Sequence, residues 1–142
     1  MASDGEFLRA FEEKRWPLEK WHHRDHVRLA YLYLRAYPFG EAADRIREGI
    51  KAHNAAHGVV EGPTSGYHET MTIAWLRLVE MVLAEYGAEE TGEKFCDAHP
   101  ELMEKKILRL YYSKDLFMSA RAKGEFVEPD LGALPRRRGR AG

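Results

Sequence analysis

Residues 19–37, EKWHHRDHVRLAYLYLRAY, carry the apolar rhythm of a helix. At about 100° per residue, His22, His26, Leu29, Ala30, Tyr33 and Tyr37 fall on one face. Arg24, Arg28 and Arg35 fall on the opposite face. The first face is expected to point inward and the second to be solvated. Pro38 closes the run, because it lacks an N–H and restricts the residue before it.

The same rhythm extends outward. Residues 5–15 predict a first helix with Phe7, Leu8 and Phe11 on one side, ended near Pro17. Residues 40–57 predict a third, with Ala42, Ile46, Ile50, His53 and His57 sharing a face and Gly58 following as its C′ residue. Three glycines and Pro63 mark 58–66 as a loop. Residues 66–86 predict a fourth helix, capped by Thr64 or Ser65, with His68, Thr72, Trp75, Val79, Val82 and Tyr86 inward. Shorter helices are expected at 89–98, from Pro100 to about Tyr112, and from Ser113 to about Lys123. Two prolines among apolar residues make 126–135 an extended strap. Strand signals are absent. The expected fold is all-α: an up-and-down bundle of four long helices, short C-terminal helices and the strap, forming one domain over 1–135. Residues 136–142 are expected to be a basic, disordered tail.

Bulk composition narrows the function. With 22 Lys+Arg against 23 Asp+Glu, the net charge of −1 provides no field that would favour nucleic acid or a membrane surface as a partner. A single cysteine, Cys96, excludes an intramolecular disulfide and a cysteine-based zinc site. The N-terminal stretch MASDGEFLRAFEEKRW is acidic and has no continuous apolar run, so it does not read as a secretory signal. Arg77, Glu80 and Glu85 interrupt the most apolar helix, so no membrane span is expected, and the cytoplasm is the expected compartment.

Chemistry concentrates in two segments, Trp21-His22-His23-Arg24-Asp25-His26 and Gly66-Tyr67-His68-Glu69-Thr70. Helical residues three and four apart are neighbours, so His22 and His26, or His23 and His26, could present two imidazoles to one ion. If the two helices pack together, His68 would supply a third ligand, and Glu69 a fourth ligand or a general base. The competing reading is a set of core histidines hydrogen-bonded to Tyr33, Thr72 or backbone. Near a helix N-terminus, His68 should stay neutral, and the free N–H groups there suit an anion. Arg28 could assist, although its face argues against it. His53 and His57 read as capping or surface groups, His99 as exposed, and Cys96 as buried. Tyr111, Tyr112, Ser113, Ser119 and Arg121 read as core and its polar edge rather than a pocket.

The strings WHHRDHVRLAYLYL, GYHETMTIAWLRLV and YYSKDLFMSARAKGEFVEPDLGALP resemble, in that order, a family of small bacterial proteins. The family pattern is W-x-H-x-x-H, then G-Y-H-E-T, then P-D-L. It falls here on Trp21, His23 and His26, on Gly66 to Thr70, and on Pro129, Asp130 and Leu131. The resemblance covers roughly residues 16 to 135. It implies that His23 matters more than His22 and brings no established activity. A looser architectural similarity is to metal-binding bundles of the DinB type, whose H-x-x-x-H spacing this chain does not share in the family-matched pair.

The leading expectation is a metal-dependent enzyme, an oxygenase or hydrolase acting on a small molecule. Its ligands would be His23, His26 and His68 on iron or zinc, with Glu69, Tyr67 and Thr70 as catalytic or supporting groups. A second is a metal-free module that binds or senses a small ligand in a pocket lined by Trp21, Tyr33, His68 and Trp75. A third is a structural, partner-binding bundle.

Overall fold

The helix predicted from residue 19 begins at His23. In the computed structural model, which describes residues 2–135, Leu18–Lys20 forms a separate 3-10 turn after Pro17. The expected tail at 136–142 lies outside the described residues. His22 is the extended N-cap of α2 (His23–Ala36), and its N–H donates to Asp25 Oδ2 at 3.0 Å. An acidic side chain at the third helical position satisfies an otherwise unpaired donor there. The shift takes Trp21 and His22 out of the helix. His22 is left with its side chain 72% exposed, and His23 is the histidine that turns toward the interior.

α3 (Phe39–Ala56) and α4 (Glu69–Tyr86) follow the predicted periodicity, and both pack against α2. α1 (Asp4–Glu12) is only nine residues long, so the described chain has three long helices rather than four. Ser3 and Glu6 form a reciprocal capping box at its start. Thr91 caps α5 (Gly92–Ala98), which lies on the far side of α2. The single helix expected after Pro100 is two 3-10 pieces, Pro100–Met103 and Lys105–Leu110. The next divides into α6 (Lys114–Phe117) and α7 (Ala120–Gly124), each started by a serine hydroxyl accepting a backbone N–H. No strand forms among the described residues; one bridge joins Gly62 and Ser65. No helix is long and apolar enough to cross a membrane.

One apolar cluster holds these elements together, centred on Phe7, Phe11, Tyr31, Leu76 and Phe95. Each such side chain contributes about 1.5–3 kcal/mol by leaving water. Residues 125–135 have no regular structure and are tied down by side chains. Tyr112 donates to the Val127 carbonyl (2.7 Å), Thr70 Oγ1 donates to the Glu125 carbonyl (2.9 Å), and Val127 and Leu134 are buried.

Three polar residues expected at the surface are buried. Arg28 is 3% exposed, held by Asp4 at 3.0 Å and the Ala2 carbonyl, with its guanidinium over the Phe7 ring. His53 is wholly buried in an aromatic stack with Phe11, Trp21 and His57, and its Nε2–H donates to the Trp16 carbonyl. His99 sits between Phe95 and Tyr86. In each case a distant segment covers a residue that its own helix leaves at the edge.

Candidate functional site

His68 is the N-cap of α4 rather than a member of its inward face. Its Nδ1 accepts the Met71 N–H at 3.0 Å, and its Nε2 lies 2.9 Å from the Phe117 carbonyl. A carbonyl only accepts, so Nε2 carries the proton and Nδ1 the lone pair. Both nitrogens are therefore committed, and the ring stacks on Phe117 at 4.6 Å. Burial holds its pKa below the ordinary histidine value, against the opposing effect of the Phe117 bond.

Glu69 faces α3. Arg47 grips it through two bonds, Nε to Oε1 at 2.8 Å and Nη2 to Oε2 at 2.6 Å, and the Tyr67 hydroxyl donates to Oε1 at 2.7 Å. Burial alone would raise its pKa, but the Arg47 and Tyr67 bonds outweigh burial and hold it low. Tyr67 is pushed above the usual phenol range by burial and then by Glu69. Thr70, one residue on and so about a quarter-turn round α4, is fully buried against residues 125–127. The expected ligand set of His23, His26 and His68 is thus not assembled, because His68 serves helix capping. Among the described residues no group of three or more His, Cys, Asp or Glu side chains could hold an ion. Glu69 locks α3 to α4, and Glu69→Ala is expected to lower stability by roughly 2–3 kcal/mol. Urea unfolding measures it; a loss below the scatter of surface substitutions contradicts the locking role.

What α2, α3 and α4 do enclose is a cavity of about 450 Å³, within the usual size of small-molecule pockets. His23, His26 and Ala30 of α2 line it, facing Ile50 of α3 and Thr72 and Trp75 of α4, with Trp21 alongside. Tyr67 and His68 close one side. Tyr33, expected there, instead donates to Glu12 and is buried elsewhere.

Tyr67, His68 and Thr72 of this wall are hydrogen-bonded within the protein, whereas nitrogens of His23, His26 and the two tryptophans are left over. His23 donates Nε2–H to the Leu102 carbonyl at 2.9 Å, leaving Nδ1 as a bare acceptor, and its ring touches Trp75. The ring nitrogens of His26 have no hydrogen-bond partner among the described residues; the ring lies against Trp21 at 4.5 Å. Burial, with lesser contributions from His23 and His53, brings its pKa down to about 4, so it is neutral at pH 7. The Trp16 indole donates to the Lys20 carbonyl, whereas those of Trp21 and Trp75 have no acceptor among the described residues. A neutral imidazole and two spare indole donors can orient an organic molecule.

The loop over the cavity is pinned by one carboxylate. Glu61 accepts the Tyr67 N–H with both oxygens and pairs with Lys123 at 3.2 Å, while Lys123 also donates to the Tyr67 carbonyl at 2.6 Å. This clamp needs Gly66, whose φ is +89° and whose missing Cβ would collide with the Glu61 carboxylate. Gly66→Ala is expected to cost about 1–2 kcal/mol of strain. A midpoint in urea within error of the parent protein would refute it.

No family model, curated protein or solved structure matches the chain. The functional reading therefore rests on the site itself. His23, His26, Trp21 and Trp75, singled out in the sequence, all line the cavity; Lys105, which also lines it, and Arg47, which holds Glu69, were not. Arg47 had no signal, since its meaning depends on Glu69 arriving 22 residues later.

Proposed function

We propose that the protein is a small-ligand-binding or sensing module whose occupant is a largely apolar organic molecule. The observation that carries this is the cavity between α2, α3 and α4, lined by His26, Trp21 and Trp75, whose ring nitrogens have no hydrogen-bond partner among the described residues. These nitrogens are not sealed in the core, so a ligand entering the cavity can reach them, and a polar group on it can pair with them. The aromatic walls add contact area and stacking.

The metal-dependent reading asks more of the same residues. His68 would have to give up the Met71 N–H to free Nδ1, or the Phe117 carbonyl to free Nε2, and Glu69 would have to leave Arg47. Ligand binding requires neither. A fluorescence titration with N-phenyl-1-naphthylamine, a neutral aromatic probe, tests the proposal. Saturable binding near one probe per chain, unchanged by chelator, is expected. Absence of saturable binding, or binding that vanishes with chelator, would count against it.

A further inference from the structure

A second chamber of about 710 Å³ adjoins the cavity, and His23, Met71, Trp75 and Lys105 line both. The outer chamber is apolar and open: Met71, Met118 and Leu131 line it and are 41%, 53% and 58% exposed. Its cations are Lys105, Arg109 and Lys114. None of the three makes an ion pair or side-chain hydrogen bond among the described residues. Arg24, Arg28, Arg47 and Lys123 each hold a carboxylate, and Arg9, Lys14, Lys20 and Lys106 have no such partner among the described residues either; what sets Lys105, Arg109 and Lys114 apart is that they converge on one apolar chamber.

The charge is also sorted. The chain has 23 acidic residues, nearly one for each basic one, yet neither chamber has an Asp or Glu in its lining. Glu104 and Asp115, the sequence neighbours of Lys105 and Lys114, line neither chamber; Glu104 accepts the Lys106 N–H at 3.0 Å instead. An apolar double chamber rimmed by three unpaired cations attracts an anion and repels a cation.

We propose that the occupant is an amphipathic organic anion, an aromatic or alkyl acid of the carboxylate or sulfonate type. Its apolar body lies in the inner chamber and its acid group at Lys105, Arg109 and Lys114. This rests on the ligand-binding reading above and specifies the ligand's class. Within the chamber, His26 and the two indoles would meet any polar group on the body, and Lys105, which lines both chambers, would lie between head and tail.

Two probes with one ring skeleton separate the claims: 1-anilinonaphthalene-8-sulfonate, an anion, and N-phenyl-1-naphthylamine, its uncharged counterpart. At low ionic strength the sulfonate is expected to bind at least tenfold more tightly. Added salt should erode that advantage and leave the neutral probe unchanged. The double variant Arg109→Gln, Lys114→Gln, which touches the outer chamber alone, should remove most of it, with the neutral probe's Kd within twofold of the parent. Both side chains are exposed, so the variant keeps the fold, which circular dichroism checks. Equal affinity for the two probes, or an advantage that survives the double variant, overturns the anion proposal while the pocket stands. Binding of neither probe overturns both.

Discussion

Lowering the pH from 7 to 4 is expected to remove several kcal/mol of folding stability. His23, His26, His53 and His68 all have pKa values below the ordinary histidine value, and burial is the leading cause in each. The unfolded chain takes up protons at these histidines below about pH 6.5, while the folded chain resists doing so. Stability is thus intact above pH 6.5 and falls as pH drops toward the folded values. For His26, whose folded pKa is about 4, the loss by pH 4 is roughly 3 kcal/mol. Glu69 steepens the fall only lower down. Its pKa is depressed, so its contribution is present above the unfolded carboxylate range and disappears as pH drops beneath it. Asp25, raised by burial, acts in the opposite sense but again in the carboxylate range. Urea unfolding at pH 7, 5.5 and 4 measures the effect, and His26→Leu should flatten the curve between 6.5 and 4. Constant stability over that window would mean that the imidazoles are solvated.

Filling the inner chamber should abolish binding without unfolding the protein. Thr72 lines the cavity from the second turn of α4, and its hydroxyl returns to the His68 carbonyl at 3.0 Å. Thr72→Phe places a ring where the ligand's body would lie. The expected result is at least a 100-fold loss of affinity for N-phenyl-1-naphthylamine, about 2.7 kcal/mol. Stability should change by no more than about 1 kcal/mol, because the ring enters space that protein atoms do not fill. Unaltered affinity would place the binding site elsewhere. A collapse of stability would show that the space is too small to admit a ligand.

The helices were legible in the sequence because periodicity is a property of one segment. α3 and α4 end within a few residues of their predicted limits, and Leu29, Ala30, Trp75 and Val79 face inward as their spacing implies. The misreadings share one cause, a partner far along the chain. Arg28 looks solvated until Asp4 and Ala2 fold over it. His53 looks like a helix end until Trp16 returns above it. His68 fits the apolar stripe of α4, and the usual capping residues Thr64 and Ser65 precede it. Its capping role follows from Gly66, whose left-handed backbone makes the turn, and from Phe117, which accepts its proton. The candidate site was half legible. Trp21, His23, His26 and Trp75 were marked by composition and spacing. Glu69 and Thr70 belong to contacts with α3 and the C-terminal segment that no local pattern encodes.

The most direct test of the cavity as a ligand site is the side-chain indole region of a ¹⁵N–¹H spectrum. The three tryptophans form a built-in control: Trp16 is bonded to the Lys20 carbonyl, while Trp21 and Trp75 line the cavity. On titration with N-phenyl-1-naphthylamine, the Trp21 and Trp75 indole signals should move together along one saturation curve, and that of Trp16 should shift far less. Stationary Trp21 and Trp75 signals at probe saturation would contradict the account.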